Sequence, residues 1–235
     1  HDEWALHHVN LTIGPGEKIA LVGLNGAGKT TLIKLLTRLY DPTEGQVLLD
    51  GVDLRDYDLR DLRRRIGVIF QDFVRYHLAA AENVGFGQIE ALDDRPRIVR
   101  AAEKSGAHPI IDGMPDGYDT VLGRWFSRGR DLSSGEWQKI ALARAFMRDC
   151  EVLVLDEPTA SLDAENELRV FQQFRELTAD KTAVLISHRF STVRMADRIF
   201  VIEQGHIAEQ GTHAELLARG GTYARLFTLQ AESYK

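Results

Sequence analysis

Short apolar runs rich in β-branched residues alternate along this chain with longer stretches whose apolar residues recur every three to four positions. Runs of the first kind suit strands buried on both faces, and the second periodicity suits amphipathic helices. Residues 18–22 read as a strand, and 23–28 break it with three glycines. Residues 30–40 read as a helix with Leu32, Ile33, Leu35, Leu36 and Leu39 on its buried side. A short strand at 47–49 ends at the turn Asp50-Gly51, and 66–70 form another strand. From about 72 to 149 clear strands vanish, alanine and arginine rise, and the pattern is helical. Strand texture returns at 152–155, 182–186 and 199–202, with a helical pattern at 164–177 and two short helices from Thr212 onward. The expected fold is α/β: a mostly parallel sheet lobe, 1–72 and 150–235, interrupted by a helical subdomain at 73–149.

Composition narrows the function classes. Of 235 residues, 27% are charged and 44% hydrophobic, an ordinary globular balance. The net charge is −6, from 29 basic and 35 acidic residues, so no global basic field calls for a nucleic-acid partner. The single cysteine, Cys150, excludes an internal disulfide, fits a reducing compartment and reads as a small buried apolar residue. Apolar runs such as 152–155 are far too short to cross a bilayer. The chain starts at His1, with no signal peptide in view, and reads as a processed or excised segment, soluble by itself.

Gly23-Leu24-Asn25-Gly26-Ala27-Gly28-Lys29-Thr30 matches G-x-x-x-x-G-K-[ST], the P-loop, with a strand before it and a helix after it. Glycines let backbone N–H groups approach a phosphate without a Cβ in the way. The helix start turns its positive end to the same anion. Lys29 adds a cation for the β- and γ-phosphates, and Thr30 a hydroxyl for Mg²⁺. Thr31 completes the candidate ATP-binding set of 23–31. A second signal is Val152-Leu153-Val154-Leu155-Asp156-Glu157, a buried strand that delivers two acids to its C-terminal end, where parallel sheets bind ligands. Asp156 is the candidate Mg²⁺ ligand, and Glu157 the group that orients or deprotonates an attacking water.

Between these motifs lies Leu132-Ser133-Ser134-Gly135-Glu136-Trp137-Gln138, which resembles the LSGGQ signature of ATP-binding cassette (ABC) proteins. Gln71 after 68–70 resembles that family's Q-loop, Ser161-Leu162-Asp163 its D-loop, and His188 its switch histidine, all in the family's order. The segment 118–123, the ending 221–226 and the start Trp4-Ala5-Leu6 resemble the exporter branch. The resemblance covers nearly the whole chain. It implies a RecA-like P-loop NTPase lobe and an ATP-hydrolysing motor domain that drives export at the cytoplasmic face of the cell membrane. It also implies a head-to-tail pair with a second nucleotide-binding domain, identical or not, and a transmembrane domain that this chain lacks. The implied catalytic set is Glu157, His188 and Gln71, with Thr30, Gln71 and Asp156 at Mg²⁺. Ser133 and Gly135, at a helix start, would face the γ-phosphate of a partner's ATP, and Asp163 would cap a helix while touching the partner. The competing class is a soluble cassette ATPase not coupled to transport. The inserted segment is too short for a chromosome-type coiled coil, and a single cassette does not suit a translation factor.

The chain departs from the family pattern at Ser134, which replaces the first signature glycine. It does so again at Arg128, and at Gly123-Arg124-Trp125, where Glu-x-Gly is usual. Ser134 is expected to crowd the phosphate or to require an unfavourable φ. The adenine-stacking aromatic falls upstream of His1. Trp137 and 73–77 are candidates to touch membrane-domain loops, and Arg60, Arg63, Arg64 and Arg65 read as a solvated helix face.

Overall fold

The computed structural model describes residues 4–70, 72–123, 129–156, 172–187 and 189–233. They fall into two compact units: the described parts of 1–68, 150–157 and 178–235, and those of 69–149 and 158–177.

The first unit is built on a six-stranded sheet ordered β4-β5-β6-β1-β7-β8. Its strands are β1 (Lys18–Val22), β4 (Ile66–Ile69), β5 (Val152–Asp156), β6 (Thr182–Ile186), β7 (Arg198–Glu203) and β8 (His206–Gly211). β1 runs parallel to β6 and β7, and β5 parallel to β6. In β1, β5 and β6 every residue after the first is buried, which is why these strands read as unbroken apolar runs. β8 is antiparallel and escapes the sequence pattern. Its residues alternate between half-buried and exposed over a polar stretch, so only one face packs. It returns from β7 through Gln204-Gly205, both with positive φ, a hairpin turn that needs no Asn-Gly signal. A separate small hairpin pairs β2 (Leu48–Leu49) with β3 (Val52–Asp53) across the turn read at Asp50-Gly51.

Helix α1 (Lys29–Leu36) follows β1 and buries Leu32 and Ile33. It stops a turn earlier than the apolar period suggests. Arg38 takes a left-handed φ of 49°, and the Leu39 and Tyr40 amides both return to the Lys34 carbonyl. Leu39 therefore stands 51% exposed rather than on the buried face. Helix α2 (Leu59–Arg65) is capped by the Asp58 carboxylate and buries Leu62. Arg60, Arg63 and Arg64 stand in solvent on the same helix, as read, with Arg65 half-buried and 3.7 Å from both Asp50 and Glu151. A short helix α7 (Phe190–Val193) follows β6, and α8 (His213–Arg219) and α9 (Thr222–Ser233) close the chain. Cys150 is buried and forms no disulfide, in agreement with the sequence.

The second unit is helical: α3 (Ala80–Gly85), α4 (Arg95–Ser105), α5 (His108–Asp112) and α6 (Ser134–Met147). They enclose a core of Val84, Ile98, Ile111, Leu122, Trp137, Ile140 and Met147, among others. Trp137 is 2% exposed and belongs to this core, so it presents no surface to an outside loop. The apolar face of α6 took it because the helix is wrapped on several sides. Phe73 also packs on the core, whereas Val74 and Tyr76 are exposed.

Candidate functional site

The P-loop is the bend between β1 and α1. Its backbone is possible only with glycine at two places. Gly28 precedes α1 with φ 107°, and a Cβ there would stand 2.6 Å from Leu6 Cδ2 and 2.9 Å from the Ala5 carbonyl oxygen. A Cβ on Gly23 would drive into the Ile202 carbonyl. The loop is braced from behind by Gly205, whose N–H donates to the Ala27 carbonyl, and by Ala27, which is buried. Leu24, Asn25 and Gly26 form its exposed rim.

The start of α1 has no side-chain cap and no acid in its first turn. The positive end of the helix dipole is thus unopposed by any acid of its own first turn, which suits an anion there. The Lys29 ammonium folds over the loop and donates to the carbonyls of Gly23 (2.7 Å) and Leu24 (2.9 Å). A cation held against neutral carbonyls gains more from a phosphate oxygen, which carries charge. Thr30 is exposed and Thr31 half-buried on the first turn of α1. The glycine cradle, the uncapped helix start and the lysine fit a nucleotide's phosphates.

The sheet brings the first acid to the same rim. Asp156 pairs with Ile186, and Ile186 pairs with Leu21, so β5, β6 and β1 stand level there. Two strand spacings put Asp156 about 10 Å across the sheet from β1. Because the three strands are parallel, their C-terminal ends share the edge that the P-loop leaves. Asp156 is 7% exposed, and Ser187 just beyond β6 is 2% exposed, its hydroxyl accepting from the Arg189 N–H at 3.0 Å. A hydroxyl at Thr30 and a carboxylate at Asp156 suit Mg²⁺, which keeps waters and takes most other ligands from phosphate oxygens. Gln71, Glu157, Asp163 and His188 lie outside the described residues, as do Arg124, Trp125 and Arg128.

In the helical unit, α6 starts as the sequence reads. Ser133 is its N-cap, and its hydroxyl accepts from the Glu136 N–H at 3.3 Å while the Glu136 carboxylate accepts from the Ser133 N–H at 2.8 Å. This reciprocal capping box satisfies two groups at once. Because the Ser133 oxygen accepts, its hydroxyl hydrogen is left to donate outward. Gly135 sits in the first turn with open space around any added Cβ. Ser134 is the first helical residue and is not among the residues with positive φ. The expected backbone strain at Ser134 is therefore absent, because a helix's first turn takes an ordinary L-residue conformation.

Nothing in the sequence announces a half-buried network on α6. Arg144 donates from Nε to the Asn83 carbonyl (2.8 Å), from Nη2 to Asn83 Oδ1 (2.7 Å) and from Nη1 to the Val74 carbonyl (2.6 Å). Burial pulls its guanidinium down to about 10, so it stays charged at neutral pH. Asn83, fully buried, donates in turn to the carbonyls of Tyr76, Leu78 and Ala79. A lone Asn and Arg separated by 61 residues carry no local signal of such a pairing.

Residues 6–160 match the family model described as ABC transporter. The chain is 43% identical over 234 residues to the ATP-dependent lipid A-core flippase of Syntrophus aciditrophicus, covering 100% of this chain and 38% of that protein. It is 41% identical over 224 residues to the subtilin transport ATP-binding protein SpaT of Bacillus subtilis, covering 95% of this chain and 36% of that protein. A solved bacterial Atm1-family ABC exporter with ATP bound superposes with TM-score 0.88 at 37% identity, over 97% of this chain and 39% of that one. The chain thus spans under two fifths of the length of the curated relatives named here. With the P-loop cradle, the level acid on β5 and the capped start of α6 in place, these likenesses show that the chain belongs to the ABC transporter family.

Proposed function

We propose that the chain binds ATP with Mg²⁺ on its P-loop, pairs head to tail with a second nucleotide-binding domain, and so drives export by a membrane-embedded partner. The observation that carries this reading is the contrast between an uncapped, lysine-bearing start of α1 and a start of α6 that offers a serine hydroxyl outward. In the reading, 23–31 hold the triphosphate, and Lys29 leaves its loop carbonyls for the β- and γ-phosphates. Mg²⁺ supplies charge neutralisation on the phosphates, and Thr30, Gln71 and Asp156 hold it. Ser133 and Gly135 of one copy close the other copy's site, as two helix ends converging on one anion favour. Glu157 orients or deprotonates the attacking water, His188 positions it, and Asp163 contacts the partner. Among the described residues no helix is long and apolar enough to cross a membrane. In the reading, the transported substrate is chosen by the transmembrane domain of the same transporter, and this domain works at the cytoplasmic face.

The test is complementation. Lys29→Ala chains lose their own phosphate site, and Ser133→Arg chains lose the end they offer a partner. Mixed, they form one intact composite site per heterodimer, and ATP hydrolysis returns to about half of the unmutated rate per dimer. No gain over either variant alone overturns the head-to-tail arrangement.

A further inference from the structure

The segment 74–79 has almost no backbone structure of its own: outside one bridge from Ala79 to Val121 it belongs to no strand or helix. Two side chains bond its carbonyls, beside the backbone N–H groups of Leu122 and Asn83 at Leu78 and Ala79. Asn83 serves those of Tyr76, Leu78 and Ala79, and Arg144 serves that of Val74. Arg144 also holds Asn83 at both its side-chain and main-chain oxygens, and lies 4.8 Å from the centroid of the Tyr76 ring. All these partners are neutral. A half-buried guanidinium loses part of its hydration, and its forked geometry is retained where it fixes a shape. The chain just past α3 is also in close contact with α6, since a Cβ on Gly87 would collide with the Arg144 carbonyl and with Met147 Cβ. Along α6, Arg144 lies eleven residues, about 16 Å of helix, beyond Ser133. Val74 and Tyr76 remain exposed, so the outer surface of the segment is accessible while its inner side is pinned.

We propose that Arg144 is a positioning residue that makes the 74–79 segment and helix α6 a single rigid piece, so that displacement of the segment moves Ser133 with it. The inference rests on the proposed role of Ser133 in a partner's site. A helix transmits force along its axis without stretching, and a guanidinium fork bonded at three points resists both sliding and rotation. The residue touches no phosphate. It acts by holding Ser133 in register with whatever grips 74–79.

The experiment uses the chain with Arg144→Met, which keeps stem volume and removes the fork, and with Arg144→Lys, which keeps the charge but not the fork. ATP binding to the monomer, measured by calorimetry, is expected within twofold of the unmutated chain, because the P-loop belongs to the other unit. Amide exchange in 74–79 is expected to rise at least tenfold, and kcat at saturating ATP and protein to fall about tenfold with KM little changed. Arg144→Lys, able to reach one carbonyl, is expected to fall between. Faster exchange with unchanged kcat would make Arg144 a packing residue only, and unchanged exchange would remove the link altogether. Should Arg144→Met not fold, the Lys variant alone decides: normal kcat beside fast exchange overturns the proposal. If the complementation above succeeds while kcat is untouched here, this inference alone fails; if complementation fails, the underlying reading does.

Discussion

The two helix starts proposed to meet phosphate are built in opposite ways. Helix α1 opens on a left-handed glycine, with no side-chain cap and no acid in its first turn. Helix α6 opens on Ser133 with a complete capping box and the Glu136 carboxylate already lodged on it. An uncapped start lacks something that a nucleotide supplies, so ligand binding there replaces a missing cap. A self-capped start is stable alone and has little left to give: one hydroxyl hydrogen and the free amides of its first turn. The difference suits a site that holds nucleotide permanently on one side and meets it only transiently on the other. The capping box of α6 is not peculiar to phosphate sites. Thr212 and Glu215 make the same box at α8, where hydrogen bonds from Thr212 hold the Glu215 carboxyl below its usual range.

The contrast can be broken most severely at Lys29. Lys29→Ala removes the only side-chain cation of the α1 start, and ATP affinity is expected to fall about a hundredfold by calorimetry, the loss of charge-assisted bonds to at least two phosphate oxygens. Dimerisation on ATP disappears with it. A variant that bound within threefold of the parent would remove Lys29 from the phosphate site.

Next come the glycines. Gly28→Ala meets Leu6 and the Ala5 carbonyl in a backbone region that alanine resists, and is expected to cost about 2 kcal/mol or more in denaturant melts. Gly135→Ala meets nothing within 4 Å inside the first turn of α6, and is expected to be neutral or to stabilise by up to about 1 kcal/mol. Equal losses at the two positions would mean that the starts are not built differently after all.

At α6 the cap and its charge can be separated. Ser133→Ala removes the N-cap and is expected to cost about 1 kcal/mol in stability. Glu136→Gln keeps an acceptor for the Ser133 N–H but removes a negative charge, costing about 0.3–1 kcal/mol in helix stability. The same change is expected to strengthen ATP-driven dimerisation severalfold in sedimentation runs at low salt, with the gain fading above the Debye-screening range. A gain independent of salt would rule out charge competition at this helix end.

The smallest effect is expected at Ser134. Without a positive φ to relieve, Ser134→Gly has no strain to release and exchanges one exposed side chain for backbone freedom. Stability is expected to drop by no more than about 0.5 kcal/mol. Any rise in dimer-dependent turnover measures steric crowding alone, and a level rate shows that the serine is accommodated.

Strand, loop and helix around the P-loop were legible in the sequence because each is specified by neighbours: an apolar run, a glycine-spaced turn, a helix period. The helix start near Ser133 was legible for the same reason, whereas the choice of Ser133 as its cap came from the structure. What the chain order concealed depends on distant partners. The β8 strand has too few apolar residues to announce itself, and becomes a strand because β7 presents an open edge beside a two-residue turn. Leu39 shares the apolar period of α1 yet ends in solvent, because the left-handed Arg38 stops the helix and its guanidinium reaches the Tyr57 carbonyl at 3.0 Å. Trp137, next to the signature, is core rather than contact surface because helices of the second unit surround it. The sequence by itself determined which residues can cradle phosphate, since that chemistry needs only local backbone freedom and a cation. Only the tertiary structure showed that Asp156 stands level with β1, through the β5-β6-β1 register, and that Arg144 reaches the Val74 carbonyl. Both depend on burial, which turns a distant carbonyl or carboxylate into an obligatory partner.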